Sequence, residues 1–188
     1  MDAFRPLTVD LPAWVPTLLG QRTHVVSDDE RVALAIALAR ENVAHGSGGP
    51  FGAAVFDDRT GRLIAVGTNS VRRLGNCVLH AEVMALMFAV QQAGTHAFDR
   101  AAPPAIMLAT SCDPCAMCLG AVLWSGVRRV VCGATREDAL AIGFDEGPVF
   151  PASLQYLADR GITFTHGVRR AEACAVLHDF AAAGNPVY

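Results

Sequence analysis

The stretch AIMLATSCDPCAMCLGAVLWSGVRRVVCGA, residues 105–134, decides the fold class of this chain. It begins with a short apolar run, AIMLATS, continues into the helical pattern PCAMCLGAVLWSG, and ends with a second apolar run, RRVVCGA. A strand, a helix and a strand in this order indicate an α/β fold, and the two strands can be parallel because a helix separates them. The same stretch contains three evenly spaced cysteines, Cys112, Cys115 and Cys118, so it is also a candidate functional site.

Outward from this stretch, helical and extended patterns alternate along the chain. Ser27 and Glu30 form a capping-box pattern that starts a first helix, and Gly46 is its predicted end. The runs FGAAVFDD and RLIAVGTNSV, joined by Thr60-Gly61, predict a β-hairpin, and LHAEVMALMFAVQQAG predicts a buried second helix. Beyond residue 134 come the helical patterns TREDALAIG and PASLQYLADRG, the strand ITFTHGV and a closing helix. We therefore expect a three-layer α/β/α sandwich around a five-stranded mixed sheet.

The length and composition of the chain favour one domain with a large apolar core, because the chain has 188 residues and 52% of them are hydrophobic. Residues 1–26 show no regular periodicity and are predicted to form an N-terminal arm, ahead of a single domain over residues 27–188. The formal net charge of −3 provides no basic surplus, so a nucleic-acid partner is not expected. The sequence shows no secretory signal and no membrane-spanning run. We expect a soluble, cytoplasmic protein without a membrane partner, whose thiols stay reduced.

Two short motifs predict a catalytic zinc site. Cys115 and Cys118 share one face of the first turn of a predicted helix, where the helix dipole favours thiolates. His80 opens another predicted helix, and Glu82 follows two residues later. One histidine and two cysteines form a three-ligand set that leaves a fourth position for water, which is typical of catalytic zinc. A carboxylate beside that water can carry its proton.

Other interpretations of the thiols fit the sequence less well. An iron–sulfur cluster would need a fourth cysteine soon after the run, but the sequence continues LGAVLWSG. A structural zinc would normally need a fourth cysteine or histidine at a matching spacing, and the chain offers none. Cys112 is interpreted as a bystander. Three further cysteines are expected to be small buried residues: Cys77, Cys132 and Cys174.

The two motifs, H-A-E at 80–82 and P-C-A-M-C at 114–118, resemble those of the cytidine deaminase superfamily, over a region from about Asp28 to the last helix. Within it, GGPFGAAVF, GTNSV and AIGFDEGP resemble the bacterial guanine deaminase branch. The resemblance implies strand order 2-1-3-4-5, a homodimer, and one Zn²⁺ per subunit held by His80, Cys115 and Cys118. It also implies hydrolysis of guanine to xanthine and ammonia by a zinc-activated water, with Glu82 as the proton shuttle.

The resemblance further implies a pocket for a small nucleobase. Asn69 would hydrogen-bond the purine, and Glu146 would be a second acidic catalytic residue, with the adjacent Asp145 as its rival. Phe51 and Trp124 are expected to provide aromatic rings that pack on the base. Ala81 would provide a backbone contact, and Tyr188 in the C-terminal tail would cover the base. Structural roles remain open for several of them, such as a turn cap for Asn69, a solvated loop position for Glu146 and plain packing for the aromatic rings.

The substrate also remains open at this point. Guanosine, an aminotriazine such as ammeline, cytosine and tRNA adenosine could be deaminated on the same scaffold. A non-enzymatic zinc-binding module is the alternative from another class, and the intact Glu82 argues against it. The sequence departs from the family pattern at Asp113: the family commonly has glutamate at the position before P-C-x-x-C.

Overall fold

The computed structural model describes residues 7–102 and 105–188. The described residues contain eight helices: α1 (Val15–Leu19), α2 (Asp28–Ala44), α3 (Val71–Leu74), α4 (Ala81–Ala93), α5 (Ala116–Ser125), α6 (Arg136–Ala141), α7 (Pro151–Ala158) and α8 (Arg170–Ala182). They also contain five strands: β1 (Gly52–Asp57), β2 (Leu63–Thr68), β3 (Ile106–Cys112), β4 (Arg129–Ala134) and β5 (Thr163–Thr165).

The five strands form one mixed sheet in the order β2-β1-β3-β4-β5. Strand β1 pairs antiparallel with β2 and with β3, whereas β3, β4 and β5 run parallel to one another. The expected mixed five-stranded sheet and its strand order are therefore confirmed. Because the parallel strands end at the same edge of the sheet, the loops that follow β3 and β4 lie side by side there.

Helices cover both faces of the sheet, which gives the three expected layers. On one face, α2 and α8 enclose a core that includes Val32, Ile36 and Phe180. On the other face, α4 and α5 enclose a second core that includes Leu86 and Val122. All six residues of β1 are buried, as expected for a strand between two layers.

Helix α4 lies unusually close to the sheet at the end where the candidate site is located. A Cβ atom on Gly67 in β2 would lie 2.1 Å from the backbone oxygen of Ala81, the first residue of α4. Only glycine permits this approach, so the sequence GTN at residues 67–69 fixes the distance between β2 and the start of α4.

The N-terminal segment, predicted as an arm because it lacks regular periodicity, contains a short helix and packs against the rest of the chain. Residues 7–26 include the short helix α1, and Val15 is 1% exposed against the core beneath α2. Leu11, Trp14 and Leu18 pack against the same core. Pro12 and Pro16 interrupt the apolar pattern, so no helical periodicity is visible in this segment. Residues 1–6 of the predicted arm lie outside the described residues.

Short α3, directly after Asn69 and Ser70, was also absent from the sequence-based expectation. It is only four residues long and carries no apolar periodicity that could have predicted it. In the described part of the chain, no helix combines the length and apolarity that crossing a bilayer requires.

Candidate active site

Two helix N-termini converge at one edge of the sheet and present the predicted metal ligands. His80 is the N-cap residue of α4, and Cys115 is the N-cap residue of α5. Cys118 lies one turn into α5 and is fully buried. Both N-caps have extended backbone conformations, so their side chains lie ahead of the helices, where the helix dipoles favour negative charge.

The three ligand atoms have the spacing of a tetrahedral zinc site. His80 Nδ1 lies 3.6 Å from Cys115 Sγ and 3.7 Å from Cys118 Sγ. Nitrogen and sulfur atoms bound to one zinc at tetrahedral angles would be about 3.6 Å apart, given the usual bond lengths. The donor set of one imidazole and two thiols is also one that zinc prefers. The residues therefore fit a zinc ion without rearrangement.

Only one of the two thiols, that of Cys115, is prepared to lose its proton. The hydrogen bond from the Cys118 thiol lowers the pKa of the Cys115 thiol to about 4, and His80 lowers it further against the opposing effect of burial. The same hydrogen bond, together with burial, raises the pKa of Cys118. The pair therefore shares one proton, and a cation that binds both sulfur atoms would displace it.

Glu82 lies in the first turn of α4, two residues after His80, and is 7% exposed. Burial raises the pKa of its carboxyl group to about 7, and the negative charge of Cys115 acts in the same direction. A carboxyl group with this pKa can both accept and release a proton near neutrality, which is what an acid–base catalyst requires.

Glu146 reaches the site from the loop between α6 and α7. Its backbone oxygen accepts a hydrogen bond of 3.0 Å from the N–H of Ala116, so the loop is attached to the N-terminus of α5. Burial raises the pKa of the Glu146 carboxyl group to about 8, and the charges of Cys115 and Glu82 raise it as well. Asp145, its rival, is exposed and accepts a hydrogen bond from Gly147 N–H in a turn.

A cavity of about 80 Å³ lies among these residues. Its lining includes the predicted residues His80, Glu82, Cys115, Glu146, Asp145, Asn69, Phe51 and Tyr188. Phe51 and Phe144 form an edge-to-face pair with ring centroids 4.8 Å apart, and Phe144 meets Tyr188 edge-on at 5.8 Å. The structure therefore brings together residues from six separate segments of the chain around one small, aromatic-walled cavity.

Asn69 holds a fixed position in this wall. It is 1% exposed, and its Oδ1 accepts hydrogen bonds from the N–H of Val71 and from the hydroxyl of Tyr188. Its own N–H donates to the backbone oxygen of Phe51 at 3.1 Å. The side chain thus performs the turn-capping role that the sequence left open, and it also lines the cavity.

Two predicted pocket residues do not line the cavity of their own chain. Trp124 is 78% exposed, because it lies near the far end of α5, six residues beyond Cys118. Ala81 is fully buried, and its side chain packs in the core beneath α4. The expectation of a ring from Trp124 in this cavity is therefore wrong for a single chain, because α5 carries it away from its own N-terminus.

The remaining cysteines have varied environments, and all six cysteines of the chain are free thiols. Cys112 is buried and donates to the backbone oxygen of Thr135 at 3.4 Å, away from the metal ligands. Cys132 is buried as expected, and Cys174 is half-buried. Cys77 is exposed, so its predicted burial is wrong, because it lies in the loop before α4.

Two residues of the cavity wall were not predicted: Phe144 and Asp113. Phe144 stands two positions before Glu146 in GFDEGP, and this proximity was the available signal. Asp113 also contacts a second group of potential ligands, since its Oδ1 lies 2.7 Å from Nδ1 of His166 and close to Cys132. That nitrogen–oxygen distance is about 0.7 Å too short for two ligands of one tetrahedral metal, so this group is a hydrogen-bonded cluster.

Comparison with known proteins identifies the family. A family model for the cytidine and deoxycytidylate deaminase zinc-binding region matches residues 26–134, which is more than half of the chain. The guanine deaminase of Bacillus subtilis (strain 168) is 38% identical over 130 residues, covering 69% of this chain and 79% of that protein.

Solved structures extend the similarity to nearly the whole chain. The structure of the protein NE0047 in complex with 2,6-diaminopurine is 41% identical, with a TM-score of 0.90, covering 97% of this chain and 96% of that one. A guanine deaminase from Nitrosomonas europaea is 42% identical, with a TM-score of 0.87, covering 94% and 97% of the two chains. This chain therefore belongs to the cytidine and deoxycytidylate deaminase family and, within it, to the branch of the bacterial guanine deaminases.

Proposed function

We propose that this protein is a zinc-dependent guanine deaminase, which hydrolyses guanine to xanthine and ammonia. The observation that carries the proposal is the set of half-buried His80 and buried Cys115 and Cys118 at zinc-ligand spacing, with Glu82 beside it in the same cavity. The comparisons support the substrate, because two of the matches are named guanine deaminases and one similar structure was solved with a diaminopurine. The free thiols fit the reducing cytoplasm that the sequence predicts.

One Zn²⁺ per subunit, held by the three ligands, would supply Lewis acidity that makes a water nucleophilic at neutral pH. Glu82 then acts as the proton carrier. It takes a proton from the water that adds to C2 of guanine and delivers it to N3. It then takes the proton of the new C2 hydroxyl and carries it to the 2-amino group, so the C2–N bond breaks, ammonia leaves and the C2 carbonyl of xanthine forms. A pKa of about 7 suits the carboxyl group to both transfers.

The cavity wall supports recognition of a free purine base. Because Oδ1 of Asn69 already accepts two hydrogen bonds, its NH₂ group is the part that would donate to an acceptor on the purine ring. Glu146 would receive the amino or ring N–H groups of guanine. The rings of Phe51 and Phe144 provide apolar contact for a flat heterocycle. A cavity of about 80 Å³ closed by Tyr188 favours a base over a nucleoside, which also carries a ribose.

Ammonia release tests this function directly. The purified, zinc-loaded protein is assayed against guanine, guanosine, adenine, cytosine, ammeline and a tRNA anticodon stem-loop containing adenosine. We expect guanine to have the highest kcat/KM. A higher value for guanosine or ammeline would retain the deaminase chemistry and reject the assigned substrate. Absence of turnover with every compound, with zinc bound, would favour the binding module.

We further infer that the protein acts as a homodimer. The layer formed by α4, α5 and α7 carries exposed apolar side chains, with Trp124 78%, Tyr156 48% and Met87 40% exposed. Between α5 and α7 lies a largely apolar groove lined by residues such as Leu119 and Leu123. Exposed apolar side chains and an apolar groove on one layer are typical of a protein–protein interface, and a second copy of the chain is the occupant we propose.

A further inference from the structure

A chain of hydrogen bonds, half-buried at Trp14 and Ser47 and fully buried at Asn42, links the N-terminal segment to Asn69. Nε1 of Trp14 donates to Oγ of Ser47 at 3.0 Å, and that hydroxyl donates to Oδ1 of Asn42 at 2.8 Å. Nδ2 of Asn42 donates in turn to the backbone oxygens of Asn69 and Gly49, at 2.8 and 2.9 Å. Every link joins a different segment: the arm, the glycine loop, the end of α2 and the loop after β2.

Asn42 is the central member of this chain. It is fully buried in the last turns of α2, where its amide uses both N–H groups and its oxygen. A buried amide with complete hydrogen bonding holds its partners in one arrangement, because any other would leave polar groups unsatisfied. Its two acceptors are the backbone oxygens of Asn69, which lines the cavity, and of Gly49, which packs against the cavity residue Tyr188.

The glycine loop leaves no room for these groups to shift. A Cβ atom on Gly48 would lie 1.9 Å from the backbone oxygen of Asn69, and a Cβ atom on Gly49 would lie 2.2 Å from the hydroxyl of Tyr188. The loop is therefore packed directly against both residues. A displacement of Asn42 would therefore move the backbone of Asn69 and also Gly49, against which the hydroxyl of Tyr188 packs.

The arm makes a second connection on the other side of Asn69. Arg73 in α3 pairs with the carboxylate of Asp10 at 2.8 Å and also donates to the Oγ of Ser70 at 3.3 Å. Trp14 is itself held by stacking on His45, with ring centroids 5.5 Å apart. The arm is thus connected to the segment that carries Asn69 by two routes, one from Trp14 and one from Asp10.

We propose that Asn42 is a positioning residue for the substrate base, held in place by Trp14 and Ser47 of the arm and the glycine loop. It acts through Asn69, and it makes the N-terminal arm part of the base-recognition apparatus. This inference rests on the proposed contact between Asn69 and the purine.

Two variants of the full-length zinc-loaded protein test the linkage. Ser47→Ala removes the connection from the arm, and Asn42→Asp replaces the two N–H donors with a carboxylate of the same size. We expect KM for guanine to rise about 2- to 10-fold in Ser47→Ala and about 10- to 100-fold in Asn42→Asp, with smaller changes in kcat and unchanged zinc content. Trp14→Phe, which removes the N–H donor together with part of the ring that stacks on His45, is expected to raise KM at least as much as Ser47→Ala.

A double-mutant cycle separates positioning from general weakening. In an Asn69→Ala background, Ser47→Ala should have no further effect on KM, since its route to the base is gone. Ser27→Ala is the matched control, because it removes the capping box at the other end of the same helix. It should lower the thermal stability and leave KM unchanged. Additive effects of Ser47→Ala and Asn69→Ala, or an equal rise of KM in Ser27→Ala, would overturn the inference.

Amide hydrogen exchange provides a readout that needs no substrate. Exchange in residues 66–72 should be faster in Asn42→Asp and Ser47→Ala than in the wild type, while residues 129–134 of β4 should be unchanged. Equal exchange in all proteins would overturn the positioning role. If the wild type deaminates no purine, the proposed function fails, and the exchange result still decides whether Asn42 positions Asn69.

Discussion

Tyr188 donates a hydrogen bond from its hydroxyl group to the side-chain oxygen of Asn69, which lies 119 positions earlier in the sequence. Burial raises the pKa of Tyr188 to about 12, so the hydroxyl stays protonated and able to donate throughout the neutral range. Its ring meets Phe144 edge-on, and its hydroxyl also lies against Gly49. The C-terminal tail is thereby part of the cavity wall rather than a free end.

This contact predicts a graded effect of changes in the tail. Tyr188→Phe keeps the ring and removes the donor, so we expect kcat/KM for guanine to fall about 2- to 10-fold. Deletion of residues 185–188 removes the cover as well and should lower turnover further, because water then enters the cavity. Both proteins should keep their zinc. Steady-state kinetics with metal analysis checks this, and unchanged kinetics in the deletion variant would contradict a covering role.

Replacement of Glu82 should separate chemistry from metal binding. Glu82→Gln keeps the shape of the side chain but cannot accept a proton, so we expect kcat to fall about 10²- to 10⁴-fold at unchanged zinc content. Ammonia release and metal analysis measure the two quantities. Glu137→Gln, at a carboxylate that is 68% exposed, serves as the control and should behave like the wild type. Near-normal turnover in Glu82→Gln would exclude this residue as the proton carrier.

The thiols should differ sharply in their contribution to metal binding. Cys118→Ser replaces a buried ligand, and we expect zinc content to fall from about one ion per chain to well below half that value. Cys77→Ser changes an exposed thiol and should bind zinc normally. Atomic absorption after dialysis against a weak chelator distinguishes the two. Equal zinc retention in both variants would remove Cys118 from the ligand set.

A charge network at the other end of the sheet predicts how stability depends on pH. Arg129 binds Asp58 and Asp28, and Arg31 binds Asp58 at 2.9 Å. The hydrogen bond from Arg129 is the main influence that lowers the pKa of Asp58 below its ordinary value. The unfolded chain therefore takes up the proton first as the pH falls. The stabilisation of the folded state by ionised Asp58 is complete above about pH 4. It is lost as the pH drops through the lower pKa that Asp58 has in the folded state.

Asp58→Asn tests this dependence. We expect it to lower the free energy of unfolding by about 1–2 kcal/mol at pH 7, a range reduced for the partial exposure of the pair. The difference from the wild type should shrink as the pH falls below about 4. Urea unfolding at several pH values measures both. Asp159→Asn, at an exposed carboxylate, should show neither effect. A pH-independent difference would refute the linkage.

The proposed dimer predicts that charge on its surface should dissociate it. Trp124→Glu places a carboxylate on the exposed apolar layer, where it would be buried without a partner in a dimer. We expect sedimentation to change from dimer to monomer at micromolar concentration. His178→Glu, on α8 at the opposite face, should sediment like the wild type. A wild-type monomer would reject the dimer altogether.

The local features of this fold were predictable because they depend on neighbours in the sequence. The capping box at Ser27 starts α2, and the turn at Thr60-Gly61 joins a hairpin, both as expected. Helix α1 was missed because prolines break its pattern. Trp124 was assigned to the pocket because the sequence of α5 does not reveal which neighbours its far end meets.

The chemistry available at the site can be read from the sequence alone: one imidazole, two thiols and a carboxylate lie in two short motifs at predicted helix starts. Their geometry depends on the tertiary fold, because the 3.6 Å spacing of His80 and Cys115 requires two helices that approach the sheet from different parts of the chain. The same holds for the path from Trp14 through Asn42 to Asn69. Such contacts arise from packing between distant segments, and no local pattern in the sequence encodes them.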